Sequence, residues 1–203
     1  MPRHTLSFCL ATLALAPADS AAQGLGGDVS VGALDGSGRI AVAVQWRLPA
    51  GPLTLGAGGR LTYYAARTRA YRNRQETSTA LPLRVTVDPT VVGLNVMVQG
   101  ELTLAGPLRV GANIDLAGLA GGPERRAGTV TLKPARGSLL LLGARDRGSL
   151  NSEFFLAFRA TRRVTLRAGV SHYVTGYRAE AGGARTRYSR FDTVPFVAVG
   201  GRL

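Results

Sequence analysis

The sequence predicts an all-β protein that forms an eight-stranded antiparallel up-and-down β-barrel. Apolar and polar residues alternate along segments whose length is about ten residues or more, which suits tilted strands that cross a bilayer. Tight and long connections follow one another between these segments. No apolar run approaches the roughly 18 residues of a transmembrane helix. Because successive strand side chains point to opposite sides, each segment has one apolar and one polar face.

The alternation is clearest over residues 92–119. Even-numbered positions are mainly apolar on both arms, whereas odd-numbered positions are mainly polar or small, with Met97 as the exception. The sequence Ala105-Gly106-Pro107 separates the two arms and predicts a tight turn. This stretch is therefore a hairpin with two different faces.

The same pattern predicts the rest of the barrel wall. Residues 81–87 extend the strand at 91–105 above the membrane. Residues 129–132 and 138–142 are expected to pair as a small hairpin, and the barrel has ten strands if residues 128–143 join the wall. The remaining strands are predicted at 28–34, 39–48, 53–65, 108–119, 151–160, 164–177 and 188–203, with tight turns at 49–52, 105–107 and 161–163 and long connections near 66–80, 120–150 and 178–187.

The first 23 residues read as a secretory signal peptide, and residues 24–203 as one barrel domain. Arg3 and His4 give a basic start, residues 6–16 are apolar, and residues 18–23 offer small side chains for cleavage. The single cysteine, Cys9, lies within this leader. The mature chain is therefore expected to lack disulfides and thiol chemistry.

The polar face separates a membrane barrel from a soluble one. A soluble barrel also alternates, but its polar face is solvated and should be rich in charge. Here small residues dominate that face, which fits a narrow lumen and places the apolar face toward lipid. These small residues are Ala41, Ala43, Gly56, Gly58, Gly111, Gly169, Ala198 and Gly200.

Charges of both signs interrupt the small residues and predict an ion-paired, plugged interior. Opposite charges that meet in a lumen can offset the cost of leaving water, which isolated charges cannot do. The predicted lumen ion pairs involve Arg39, Arg60, Arg109, Arg159, Arg167 and Arg202 with Glu101, Asp115, Glu153 and Asp192.

Aromatic residues near the strand ends predict interfacial girdles, because amphipathic rings favour the boundary between lipid and water. Ordinary cross-strand packing is the alternative explanation. The predicted interfacial aromatics are Trp46, Tyr63, Phe154, Phe158, Tyr173, Tyr177 and Phe191.

The leader, the eight alternating segments and a final strand with Val197 and Val199 resemble small outer-membrane β-barrels of the OmpA, OmpX and OmpW type. Residues 148–155 (GSLNSEFF) and 169–173 (GVSHY) are also similar to uncharacterised barrels of this sort. Those barrels usually end in Phe, whereas this chain has Leu203. The resemblance implies an outer-membrane location but no particular activity.

The basic residues cluster in the predicted long connections. The net charge is +13, but an exported protein does not meet nucleic acid, so we expect no nucleic-acid partner. Arginine binds phosphate through two parallel hydrogen bonds, and lipopolysaccharide presents phosphates at the outer surface. A merely solvated loop surface is the alternative. The predicted lipopolysaccharide contacts are Arg67, Arg69, Arg72, Arg74, Arg185 and Arg187.

No catalytic or metal constellation is evident. His172 is the only histidine after the leader, and its neighbour Ser171 must face the opposite side of the strand. Val174 occupies the position where the outer-membrane lipid A deacylases place their serine. We therefore expect no enzyme activity, no cofactor and no metal site.

The sequence thus predicts a monomeric outer-membrane protein with a structural or surface-interaction role, and a narrow porin for small solutes is the alternative. Its expected partners are outer-membrane lipid, lipopolysaccharide and the barrel assembly machinery.

Overall fold

The computed structural model describes residues 24–73, 81–139, 149–181 and 184–203. The predicted signal peptide at 1–23, Arg74 and residues 140–142 of the predicted small hairpin lie outside the described residues. The side chain of Arg185 is likewise outside them.

The described chain consists of antiparallel strands. They are β1 (Gly24–Leu34), β2 (Ser37–Ala50), β3 (Leu53–Ala66), β4 (Arg69–Asn73), β5 (Arg84–Val87), β6 (Thr90–Ala105), β7 (Leu108–Gly121), β8 (Arg125–Ala127), β9 (Val130–Pro134), β10 (Gly137–Leu139), β11 (Leu150–Arg159), β12 (Val164–Ala181) and β13 (Ala184–Arg202). No helix in these described ranges is long and apolar enough to cross a membrane.

Eight long strands close into a barrel, as predicted. The order around the wall is β1-β2-β3-β6-β7-β11-β12-β13, and β13 pairs again with β1. The register places Val29 opposite both Val42 and Val199, so the outward rows of three strands align. The barrel therefore has eight strands in its wall, and the ten-strand alternative is wrong.

Tight turns lie at one end of the barrel. The β2–β3 turn uses Gly51 with φ +62°, and the β6–β7 turn uses Gly106 with φ +51°. Glycine has no Cβ and adopts positive φ without the usual steric cost, so these positions permit the chain to reverse abruptly. We call this end the short-turn rim.

The five short strands lie at the opposite end, which we call the long-loop end. Residues 69–73, predicted to be irregular loop, form β4 and pair with β5. The predicted pairing of residues 129–132 with 138–142 is wrong: β8 pairs with β9 around Gly128, whereas β10 pairs with β7. Gly128 has φ +61°, and the turn therefore forms there rather than at residues 133–137.

Residues 134–137 bridge the wall where β11 is too short to reach the long-loop end. The Ala120 amide donates to the Arg136 carbonyl at 2.6 Å, which ties the segment to β7. The Ala135 amide donates to the Gly176 carbonyl at 2.9 Å, which ties it to β12. These bonds satisfy backbone groups that an open sheet edge would leave unpaired.

The outer face of the wall is apolar. On β6, Leu94 is 58% exposed and the adjacent Asn95 is 1% exposed, so the apolar row faces out and the polar row faces in. The same alternation runs around the barrel. We call the outward row the apolar belt, and it includes Val29, Val42, Val44, Leu55, Leu61, Leu94, Val96, Leu102, Leu156, Leu166, Val170, Val197 and Val199.

A separate apolar cluster closes the barrel at the long-loop end, where β4–β5 and β8–β9 fold together above the lumen. Tyr71 and Tyr177 pack edge to face inside it, with ring centroids 5.2 Å apart. We call this cluster the outer cap. Its members are Tyr71, Leu81, Val85, Val87, Val91, Ala120, Val130, Leu132, Tyr177, Ala179 and Tyr188.

Candidate functional site

A carboxylate shared by two arginines occupies the middle of the lumen. Glu153 Oε1 lies 2.5 Å from Arg39 Nη1 and 3.1 Å from Arg60 Nη1. All three side chains are almost completely buried. Two positive groups on one carboxylate strengthen the attraction that offsets desolvation, so a charged network occupies the centre of the lumen.

Asp115 extends this network along the barrel. Arg60 forms a salt bridge with Asp115 Oδ1. The Asn95 side-chain amide donates to Asp115 Oδ2 at 2.6 Å, and the backbone amide of Asn151 donates to the same oxygen at 2.9 Å. The carboxylate therefore has partners on three different strands.

Neutral side chains complete the network. Arg39 donates to Ser30 Oγ at 2.6 Å and to Ser171 Oγ at 2.9 Å. Asn113 donates to Glu153 Oε2 at 2.6 Å, and Ser171 in turn donates to Asn151 Oδ1 at 2.6 Å. These bonds fix the orientation of the charged groups, because each one limits the rotamers of its partner.

Below this network, Arg167 forms a buried ion pair with Asp28. Its guanidinium also lies 4.7 Å from the centroid of the Phe155 ring, within the range of a cation–π contact. The ring needs the space left by Gly111, where an added Cβ would come within 2.6 Å of Phe155 Cζ. Asp28 was not among the predicted lumen residues, although its parity with Ser30 assigns it to the inward face.

Above the network, tyrosines fill the lumen. The Tyr64 hydroxyl donates to Asp192 Oδ2 at 2.8 Å, and Arg190 Nε lies 2.7 Å from Asp192 Oδ1. The rings of Tyr64 and Tyr173 pack with centroids 4.9 Å apart. The interfacial role predicted for Tyr173 and Tyr177 is therefore wrong, because both rings point inward and are fully buried.

Other predicted aromatics do face outward. Trp46 and Phe158 lie on the outer face near the short-turn rim, and Tyr63 lies nearer the long-loop end of β3. Phe154 and Phe191 flank His172, with ring centroids 5.9 Å and 5.3 Å from the imidazole.

His172 is not placed for catalysis with Ser171. The imidazole Nδ1 is 2.9 Å from Thr193 Oγ1 on the outer side of the wall, whereas Ser171 is buried in the lumen. Within the described parts of the chain, no group of three His, Cys, Asp or Glu residues could hold a metal ion.

The short-turn rim is lined with arginine. Arg109 and Glu101 were both predicted to form lumen ion pairs. They form one with each other, with 3.2 Å between Arg109 Nη1 and Glu101 Oε2. Arg159 and Arg202, also predicted as lumen pairs, are instead exposed at the rim, because each stands at the end of its strand. A cavity of about 540 Å³ opens here. We call it the arginine mouth, and its arginines are Arg47, Arg109, Arg159, Arg162, Arg163 and Arg202.

The arginines at the long-loop end differ in their exposure and in their hydrogen-bond partners. Arg67 and Arg72 are exposed, and Arg187 is half-buried. Arg69 reaches back to donate to the backbone carbonyl of Asp35. Arg178, which was not a predicted lipopolysaccharide contact, is exposed on the outer face of β12, opposite Arg187 in the pairing with β13.

The fold and interior together define a closed eight-stranded barrel with an ion-paired lumen and an apolar outer face. No protein-family model and no curated protein matches the chain. Neisserial surface protein A is similar in structure at 9% identity over 90% of this chain and 98% of that chain, with a TM-score of 0.45. The β domain of the Bordetella autotransporter BrkA is 12% identical over 90% of this chain and 100% of that chain, with a TM-score of 0.26. At these values neither structure bears on function.

Proposed function

We propose that this chain is an integral outer-membrane β-barrel protein with a structural or surface-interaction role, and that it acts as a monomer without enzymatic activity. The apolar belt carries the proposal. It surrounds a wall that has no open sheet edge in its eight-stranded part, as a hydrocarbon environment requires. Such a belt greatly exceeds the isolated apolar patches that monomeric soluble proteins expose.

In this proposal the short-turn rim faces the periplasm and the long-loop end faces outward, as in bacterial outer-membrane barrels. The outer cap and the exposed arginines around it then stand among the headgroups of the outer leaflet. Arg67, Arg72, Arg84, Arg126, Arg136 and Arg178 are exposed there.

A shallow groove on the outer face suggests how lipopolysaccharide is contacted. The groove has a volume of about 790 Å³, and Leu94, Leu119 and Leu139 contribute apolar lining. Arg178 and Arg187 border the same groove. An acyl chain suits the apolar lining, and a phosphate suits the two guanidinium groups.

The channel alternative receives less support from the interior. Arg39, Arg60 and Glu153 fill the centre of the lumen, and the outer cap covers its upper end. A solute would have to separate buried ion pairs in order to pass, which is costly.

The lipopolysaccharide contact is tested with the full chain, including residues 1–23, expressed in a lipopolysaccharide-producing cell. We expect the R67Q/R72Q/R178Q variant to retain about tenfold less lipopolysaccharide after detergent extraction, because charge-assisted hydrogen bonds to phosphate are lost. The matched control is R159Q/R162Q/R163Q, which removes the same charge at the opposite end. Equal retention by the two variants contradicts the contact. A chain that fractionates away from the outer membrane contradicts the proposed location itself.

A further inference from the structure

We propose that the arginine mouth is a binding site for a phosphate-bearing ligand that enters from the short-turn rim. This site is separate from the lipopolysaccharide contact, which concerns the other end of the barrel. Its basis is the convergence of arginines from several parts of the chain on one cavity.

The arginines come from around much of the wall. Arg47 lies near the end of β2, Arg109 is the second residue of β7, and Arg202 ends β13. Arg159 ends β11, and the turn before β12 supplies Arg162 and Arg163. Arg47, Arg109, the group at 159–163 and Arg202 are far apart in sequence, and only the closed barrel assembles them into one lining.

Two buried carboxylates, Glu101 and Asp28, attract Arg47 and offset part of the positive charge of the six arginines. Arg109 pairs with Glu101, which is buried behind it. Among the described residues, no carboxylate forms an ion pair with any of the other five arginines of the mouth. Guanidinium groups that share a concave surface repel one another and focus a positive potential, so an anion in the cavity is favoured.

The shape of the site suits a small ligand. Its volume of about 540 Å³ lies within the ordinary range of ligand pockets, about 300–1,000 Å³. The Arg167–Asp28 pair and the central ion network close the lumen above it. A ligand therefore enters from the rim and stops there.

The donors favour phosphate over a simple carboxylate. A phosphate group has several acceptor oxygens and more than one negative charge, so it can bind several guanidinium groups at once. The hydroxyl groups of Thr54, Thr103 and Thr165 line the same cavity and add further donors. A single carboxylate would leave most of these groups without a partner.

Two sources can present this chemistry: the headgroup of an anionic phospholipid in the adjacent leaflet, or a free phosphorylated solute. They are distinguished with the folded mature chain in a maltoside detergent, which contains no phosphate. Calorimetry is run with pyrophosphate in one arm. In the other arm phosphatidylglycerol is titrated in mixed micelles, with phosphatidylcholine as the zwitterionic control.

We expect one saturable site for pyrophosphate, phosphatidylglycerol or both, and R159Q/R162Q/R163Q should weaken binding at least about tenfold, since each charge-assisted hydrogen bond contributes about that factor. The control R67Q/R72Q/R178Q removes equal charge from the long-loop end and should bind as the unmodified chain does. Binding of phosphatidylglycerol alone identifies a lipid headgroup, and binding of pyrophosphate identifies a soluble ligand.

Two outcomes overturn the proposal: neither probe binds saturably, or both triple variants weaken binding equally. A gel that compares heated and unheated samples verifies that each variant is folded. If the triple glutamine variant fails to fold, R162Q/R163Q, which changes only the turn before β12, takes its place. Unchanged binding by that double variant also overturns the proposal.

Discussion

Arg39 and Glu153 meet in the centre of the barrel with 2.5 Å between Nη1 and Oε1, although 114 positions separate them in the chain. Arg39 lies on β2 and Glu153 on β11, which are four strands apart in a wall of eight. The two residues therefore stand on opposite walls, and their ion pair spans the lumen.

Replacing Glu153 by Gln should destabilise the barrel by about 3–5 kcal/mol, because Arg39 is left as a buried, uncompensated cation, whereas Arg60 keeps Asp115 as a partner. Urea-induced unfolding in detergent measures the change. Glu124→Gln is the matched control: Glu124 pairs with Lys133 on the surface, where an ion pair contributes about 0–1 kcal/mol. Equal losses for the two variants would show that the lumen network does not determine stability.

Replacing Val96 by Arg should hinder folding into lipid vesicles, because Val96 is 57% exposed near the middle of β6 on the apolar belt. The expected cost is about 2–4 kcal/mol at the bilayer midplane and about 0–1 kcal/mol near an interface. Leu104→Arg, next to the β6–β7 turn, is therefore the control. A Val96→Arg chain that folds as well as the unmodified one contradicts the orientation of the belt.

Replacing Leu132 by Ala should loosen the outer cap, because Leu132 is fully buried there. Removing a buried leucine side chain costs about 2–5 kcal/mol. Faster amide hydrogen exchange in β9 reports the loss. Leu83→Ala provides the comparison, since Leu83 is 65% exposed and should change exchange very little. The cap is not a packed unit if both variants exchange alike.

In planar bilayers the protein should give no steady single-channel steps, because buried ion pairs fill the lumen. The variant R39A/E153A removes both members of the pair that spans it and should increase the current. Steady conductance by the unmodified protein would support the channel alternative instead.

Stability of the outer cap should fall at alkaline pH. Burial raises the pKa of the Tyr71 hydroxyl well above its usual range, although the hydrogen bond with Thr175 opposes this shift. The folded state then holds the proton more tightly than the unfolded state. The stabilisation is complete below the unfolded pKa of about 10 and is lost as pH rises beyond it. Proteolysis of the cap between pH 9 and 11 (roughly one unit either side of that pKa) measures the effect, and Tyr71→Phe should weaken the pH dependence.

Strand parity predicted the wall and most of the lumen. Because the side-chain period is two, the alternation of Asn95, Gln99 and Glu101 with valine and leucine fixes which groups face inward. It does not reveal which charges meet, since partners such as Arg39 and Glu153 lie on opposite walls. It also placed Tyr173 and Tyr177 on the inward row, but their aromatic character led to an interfacial assignment.

The prediction was weakest at the two ends of the barrel. Arg159 and Arg202 have lumen parity, but a strand end lies beyond the enclosed part of the barrel and leaves long side chains in solvent. At the other end, β4 is short and contains Arg69 and Arg72, so it resembles a polar loop in sequence. The pairing of β4 with β5 depends on the outer cap, whose members come from seven strands and from Leu81 in the connection before β5.

The pairing of Val29 with Val199 joins the first strand of the wall to the last one. During synthesis β1 emerges long before β13, which is its second neighbour in the wall. β12 also lacks its partner until β13 is made. Until then the nascent sheet has two unpaired edges and an exposed apolar surface, and both features promote aggregation. The barrel therefore closes only when β13 is present, and a chain truncated before β13 cannot form the closed wall.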